Sequence, residues 1–223
     1  AGLSPEEFPF ALVPSYSTFH FAKPNPAYFS ELLAKLAWPE GVVVMAGDSI
    51  TNDITSAFQS GLTTYWVTSE KTSVPEDRHT AKGIGNLIEF FPWLDSCHPD
   101  SLLPDFNQPS AIIATMRATP AVLHSLFSSL SREDWIHRPS QGEWSAIEIL
   151  CHLADMDSEV NLPRLRKVLY HVNPFVAGVD TDAWTEARQY IQRDSAQMLR
   201  KFITTRLELI TFLEGLSPDE WQR

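Results

Sequence analysis

Val42-Val43-Val44-Met45-Ala46-Gly47-Asp48-Ser49-Ile50-Thr51-Asn52-Asp53 is the stretch that decides the fold of the first part of the chain. Its first five residues are apolar without alternation, as in a strand of a parallel sheet covered by helices on both faces. Glycine and aspartate then break the run at the strand's carboxyl end, the edge where α/β folds bind ligands. The carboxylates of Asp48 and Asp53 are hard oxygen donors, suited to Mg²⁺, which keeps much of its own water. Ser49 and Asn52 are placed to support them. Taken alone, the same aspartates serve equally well as caps of the helix that follows.

Two more β-rich runs flank this stretch, Phe10 to Tyr16 and Thr63 to Thr68. Between the runs lie helical patterns. Pro26 to Trp38 sets Tyr28, Leu32, Leu33 and Leu36 on one face, and Asp53 to Ser60 is a short helix that Gly61 can end as its C-cap. Such strand–helix alternation predicts an α/β layer built of right-handed crossovers. From Phe90 to Pro120 the pattern dissolves: prolines 92, 99, 104, 109 and 120 recur among Asp, Ser and Asn. A linker over residues 92–118 is predicted, separating a first domain, 1–91, from a second, 119–223.

After the linker the period becomes 3.6. One helix is expected with Thr119 as N-cap and Pro120 at its first position, running through Leu123, Leu126, Phe127 and Leu130. A second runs from Trp144 to Tyr170, with Ser145 and Glu148 in its first turn and Pro163 placed to kink it. The third carries the stripe Trp184, Ala187, Ile191, Met198, Phe202, Leu209 and Leu213 and ends at Gly215. Helices of this kind pack as a bundle.

Composition narrows the classes of function. The chain has 223 residues, of which 43% are hydrophobic, and a formal net charge of -11. That balance argues against nucleic acid as a partner, which is met by clustered Lys and Arg, and against an anionic membrane surface. The two cysteines, Cys97 and Cys151, are far apart and read as free thiols of a reducing compartment. No apolar run is long enough for a membrane span, and Ala1 to Glu7 has neither a basic nor an apolar leader. The expected location is cytoplasmic.

Upstream of the deciding stretch, Phe21-Ala22-Lys23-Pro24-Asn25-Pro26 places a lysine just before a proline-initiated helix. There a lysine can neutralise a phosphoryl group as a compact point charge. In order, spacing and strand context, this segment together with the strand, Gly47 to Asp53 and the helix ending at Gly61 resembles the haloacid-dehalogenase (HAD) superfamily over residues 1–91. The resemblance implies a partial Rossmann-like α/β core with a parallel sheet. It also implies that Lys23 orients the phosphoryl group while Asp48 and Asp53 hold Mg²⁺. The family attacks with an aspartate of a D-x-D segment after its first strand, and Ala1-Gly2-Leu3 looks like the helix that follows the second motif. The chain as written is therefore expected to lack the nucleophile that covalent catalysis needs and to be inactive.

Gly142-Glu143-Trp144-Ser145 through His152-Leu153-Ala154-Asp155 resembles the start of the second helix of DinB-like four-helix bundles. Arg164, Arg166, Thr204-Thr205-Arg206, Leu209 and Leu216 to Trp221 extend the likeness across residues 119–223. Members of that family hold a divalent metal through three histidines. His152 matches one, and by the resemblance the others would lie on a last helix beyond Arg223. A bundle ligand of this type would be Zn²⁺ or Ni²⁺. Glu148, His152, Asp155 and Glu159 share one helix edge, which could form a carboxylate-assisted site but reads better as a solvated edge beside the apolar stripe of Ile147, Cys151 and Ala154.

Three functions follow as expectations. The first is part of a Mg²⁺-dependent phosphatase-type HAD-like hydrolase acting on a small phosphomonoester, with an appended DinB-like domain. The second is a non-catalytic metal- or phosphate-binding module, forming a homo-oligomer through the bundle. The third is a DinB-like metal-dependent hydrolase or transferase.

Overall fold

The structure is a computed structural model, and it describes Glu7, residues 9–69 and residues 80–223. The segment at Ala1 expected to be helical lies outside the described residues. The chain divides into two compact units, Ala1–Thr119 and Pro120–Arg223.

The first unit is built on a small parallel sheet. Helix α1 (Ala27–Lys35) precedes strand β1 (Val44–Gly47), which is the core of the apolar run. A wide π-helical turn, Ile50–Thr55, leads into the single helical turn α2 (Ser56–Gln59), and Gly61, at φ +92°, turns the chain into strand β2 (Thr63–Val67). β2 lies between β1 and strand β3 (Gly83–Gly85), in parallel register with Val44 opposite Thr63 and Tyr65 opposite Gly83. The crossover logic read from the sequence holds for β1 and β2. Phe10 to Tyr16 forms no strand and is irregular.

A core of Phe29, Leu33, Ala57 and Leu62 is backed by Tyr28, Val43 and Met45. The buried face of α1 is thus Phe29 and Leu33 with Ala27, Ser30 and Glu31, rotated from the predicted face of Tyr28, Leu32, Leu33 and Leu36. The rotation frees Tyr28 to line a cavity.

The predicted linker contains helices. Asn86 caps helix α3 (Leu87–Ser96) through a capping box with Glu89, and helix α4 runs Pro109–Phe127. Thr119 and Pro120 therefore lie inside a helix instead of starting one. The Thr119 hydroxyl donates to the Thr115 carbonyl at 2.8 Å, one turn back, and so caps nothing. The start signal of proline at a first helical position is used at Pro109 instead.

In the second unit, α5 (Arg132–Ile136) is followed by α6 (Ala146–Asp155), where Ser145 and Glu148, expected in the first turn, form a capping box that starts the helix. The kink expected at Pro163 is a π-helical turn, Met156–Asn161, after which α7 (Leu162–Tyr170) continues with the proline in its first turn. The third predicted helix is broken. α8 (Trp184–Ala187) ends near Gln189, which adopts a left-handed φ of 51°, and Asp194 caps α9 (Ser195–Glu214) by accepting from the Gln197 N–H at 2.7 Å. α6 packs on α9 around Ile147, Leu150, Cys151, Ala154, Tyr190, Met198 and Phe202.

Among the described residues no helix is long and apolar enough to cross a membrane.

Candidate functional site

Gly47 ends β1 and is the reason the site can close up. A Cβ there would lie 2.5 Å from the Cβ of Asp53 and 2.6 Å from its Oδ2, so only glycine admits this aspartate against the strand end. The chain then turns at Ser49, whose Oγ accepts from the Asn52 N–H at 3.2 Å and starts the π-helical turn. That turn delivers Asp53 back over the strand, 6% exposed. Its Oδ2 accepts from the Ser49 N–H at 3.2 Å, and its Oδ1 meets the Lys23 ammonium at 2.6 Å. Asp48 is exposed, and the Trp66 indole N–H fixes its carbonyl at 3.0 Å.

The structure therefore brings together Lys23, Asp48 and Asp53, which are up to thirty residues apart in sequence. All three line one cavity of about 510 Å³ with Ser49, Asn52 and Tyr28. Burial raises the Tyr28 phenol pKa; Lys23 pulls it down, and Asp53 and Glu31 push it up. The hydroxyl thus stays protonated near neutrality and can donate a hydrogen bond.

The acidic edge of α6 is committed to cations. Glu148, 1% exposed, accepts from Arg138 Nε at 2.9 Å and from the Ser145 N–H and hydroxyl at 2.9 and 2.8 Å. Asp155, 5% exposed, accepts from the Tyr190 hydroxyl at 2.7 Å, from Lys201 at 2.5 Å and from Arg188. Burial works to raise the pKa of both carboxyls, but these donors outweigh it and hold them below their ordinary values. Glu159 pairs with Arg188 at 2.8 and 3.0 Å.

Residues 115–223 match the family model of the DinB superfamily, and residues 20–88 match that of a HAD-hydrolase-like family. The chain is thus similar to HAD-like hydrolases in its first part, the HAD-like half, and to the DinB superfamily in its second, the DinB-like half. No curated protein matches it. Among solved structures, it is similar to YfiT from Bacillus subtilis, described as "a probable metal-dependent hydrolase with an unusual four-helix bundle topology". The two are 19% identical, with a TM-score of 0.49 over 54% of this chain and 69% of that one.

In the HAD-like half the donors suit a hard cation: two carboxylates, an exposed one and a buried one, with an amide and a hydroxyl beside them. In the DinB-like half, the His152 ring lies tilted against Trp144, with ring centroids 4.8 Å apart, and its Nδ1 is buried without a hydrogen-bond partner among the described residues. Burial lowers the imidazole pKa, against the pull of Asp155 and Asp182. The neighbouring carboxylates are occupied by Arg138, Arg188 and Lys201, so the residues described here do not complete a metal centre around His152. Among the described residues of either half, no group of three or more His, Cys, Asp or Glu side chains is arranged to hold a metal ion.

Glu31 is a residue of the HAD-like site that motif reading does not find. It is wholly buried on α1; its Oε2 accepts from the backbone N–H groups of His20 and Phe21 at 3.0 and 3.2 Å, and its Oε1 lies 3.0 Å from His20 Nδ1. By gripping the two residues ahead of Ala22 and Lys23, it positions the lysine's loop.

Proposed function

We propose that the HAD-like half binds the phosphoryl group of a small phosphomonoester together with Mg²⁺, as the electrostatic part of a phosphatase-type hydrolase. The observation that carries this reading is the 2.6 Å contact of Lys23 with Asp53 at the carboxyl end of β1, with Asp48 in the same cavity. Asp48 and Asp53 would hold the cation, and Lys23 would neutralise and orient the phosphoryl oxygens. A bound Mg²⁺ would supply charge stabilisation to the phosphoryl oxygens. Asn52 and Ser49 shape the loop that presents the carboxylates, and Gly47 leaves the room that Asp53 occupies.

No residue is assigned as the attacking group, so the reading predicts binding without turnover by these 223 residues. Calorimetric titration of inorganic phosphate, with and without Mg²⁺, tests it. Binding that requires Mg²⁺ and is lost in Lys23→Ala and Asp53→Asn is expected. Phosphate binding indifferent to all three would sink the reading.

A further inference from the structure

The cavity has two unlike walls. One is charged: Lys23, Asp48 and Asp53. The other is aromatic: Phe19, Phe21 and Tyr28, with Tyr16 at the rim. The aromatic wall is held in place from behind. Phe19 and Tyr28 pack with ring centroids 5.3 Å apart, and Tyr28 meets Phe29 edge-on at 5.1 Å and 87°. Phe29, 3% exposed, roots the pair in the core. The Lys35 ammonium sits 5.3 Å from the Phe19 ring centroid and holds that ring from another side. The backbone that carries Phe21 is held by Glu31, which accepts from its N–H at 3.2 Å. Rings ordered before a ligand arrives lose little freedom on binding, which is how preorganisation raises affinity.

We propose that this wall is a leaving-group subsite, and that the preferred ligand is an aryl phosphomonoester, with the phosphoryl group at Lys23 and the ring against Phe21 and Tyr28. The proposal rests on the phosphoryl-binding reading of the Lys23 end. About 510 Å³ is within the range of small-molecule sites and has room for a phosphoryl group with a ring attached. Aromatic rings prefer offset or edge-to-face contacts with other rings. An aliphatic phosphate of the same charge would leave these faces in water. Tyr28 belongs to both walls, since its ring lies in the aromatic one while its hydroxyl feels the charges of Lys23 and Asp53.

The test is calorimetry on the full chain in excess Mg²⁺ with three probes: inorganic phosphate, methylphosphonate and phenylphosphonate. Phenylphosphonate is expected to bind about tenfold tighter than methylphosphonate, the size of preference that an aromatic contact with its buried area supplies. Phe21→Leu and Tyr28→Leu keep much of the volume and should bring that ratio close to one; far-UV circular dichroism checks that each variant folds. Equal affinities for the two phosphonates in the unaltered protein overturn the subsite and leave the phosphoryl reading standing. Failure of all three probes to bind overturns both. A preference that survives in both leucine variants also overturns the subsite, because the ring then rests elsewhere.

Discussion

Asp155 shows what a single buried carboxylate is worth here. At 5% exposure it must be paired, and Tyr190, Lys201 and Arg188 supply the donors. Removing one member of a buried pair strands the others, at a cost of about 3–5 kcal/mol. Lys201 and Arg188 keep some solvent and Arg188 retains Glu159, so Asp155→Asn should cost about 3 kcal/mol in urea unfolding at pH 7. The pKa of Asp155 is depressed on folding, so its contribution is present above its ordinary value of 3.8 and fades as pH falls below it. The gap between the native protein and the variant should therefore shrink at pH 3. His152 sits on the same helix but titrates elsewhere. Burial depresses its pKa from 6.5, so the neutral ring's contribution is complete above 6.5 and declines as pH drops through the folded value. His152→Phe should flatten the decline in stability between pH 7 and pH 5, measured by the same unfolding. An unchanged pH slope would mean that the ring is solvated when folded.

At the scale of elements, α1 is the helix to perturb. Its sequence, read by period alone, suggests an apolar face that includes Tyr28 and Leu32, with Glu31 on the outside. The fold buries Glu31 because two loop N–H groups at His20 and Phe21 need an acceptor, and a need of that kind is invisible until the loop exists. Glu31→Gln retains the shape but replaces one accepting oxygen by an NH₂ donor that faces donors. About 1–3 kcal/mol of stability should be lost. Phosphate affinity should fall with it, because the loop that carries Lys23 loosens; unchanged affinity in a folded variant would show that Lys23 is placed without Glu31. Lys23, Asp48 and Asp53 were legible because their order and strand context survive in one dimension. β3 was not, because Gly83-Ile84-Gly85 has almost no strand propensity. It is a strand because it pairs with β2, and residue 83 is glycine because a Cβ there would collide with Tyr65 and Trp93. The break between α8 and α9 was marked by Asp194 ahead of Gln197, a cap hidden beneath an apolar stripe that ran on through it.

At the scale of the molecule, each half has a core of its own, Phe29 and Leu33 with Ala57 and Leu62 in one and Ile147, Leu150 and Phe202 with their neighbours in the other. Resemblance offers both halves a metal, but the side chains treat the two offers differently. In the HAD-like half the Asp48 carboxylate has no ion-pair or hydrogen-bond partner among the described residues, and Asp53 is held by Lys23 and the Ser49 N–H alone. In the DinB-like half the acidic edge of α6 is neutralised by Arg138, Arg188 and Lys201. A hard cation therefore gains more by entering the first. Anything that binds only the folded form stabilises it by RT ln(1 + [L]/Kd), about 2.7 kcal/mol at a hundredfold excess over Kd. Hydrogen exchange on the whole chain with Mg²⁺ and phosphate should accordingly slow amides of β1, the π-helical turn and α1. Asp53→Asn should abolish that protection, whereas His152→Ala should leave it in place. Protection appearing instead along α6, and disappearing with His152, would move the cation chemistry of this protein to its helical half.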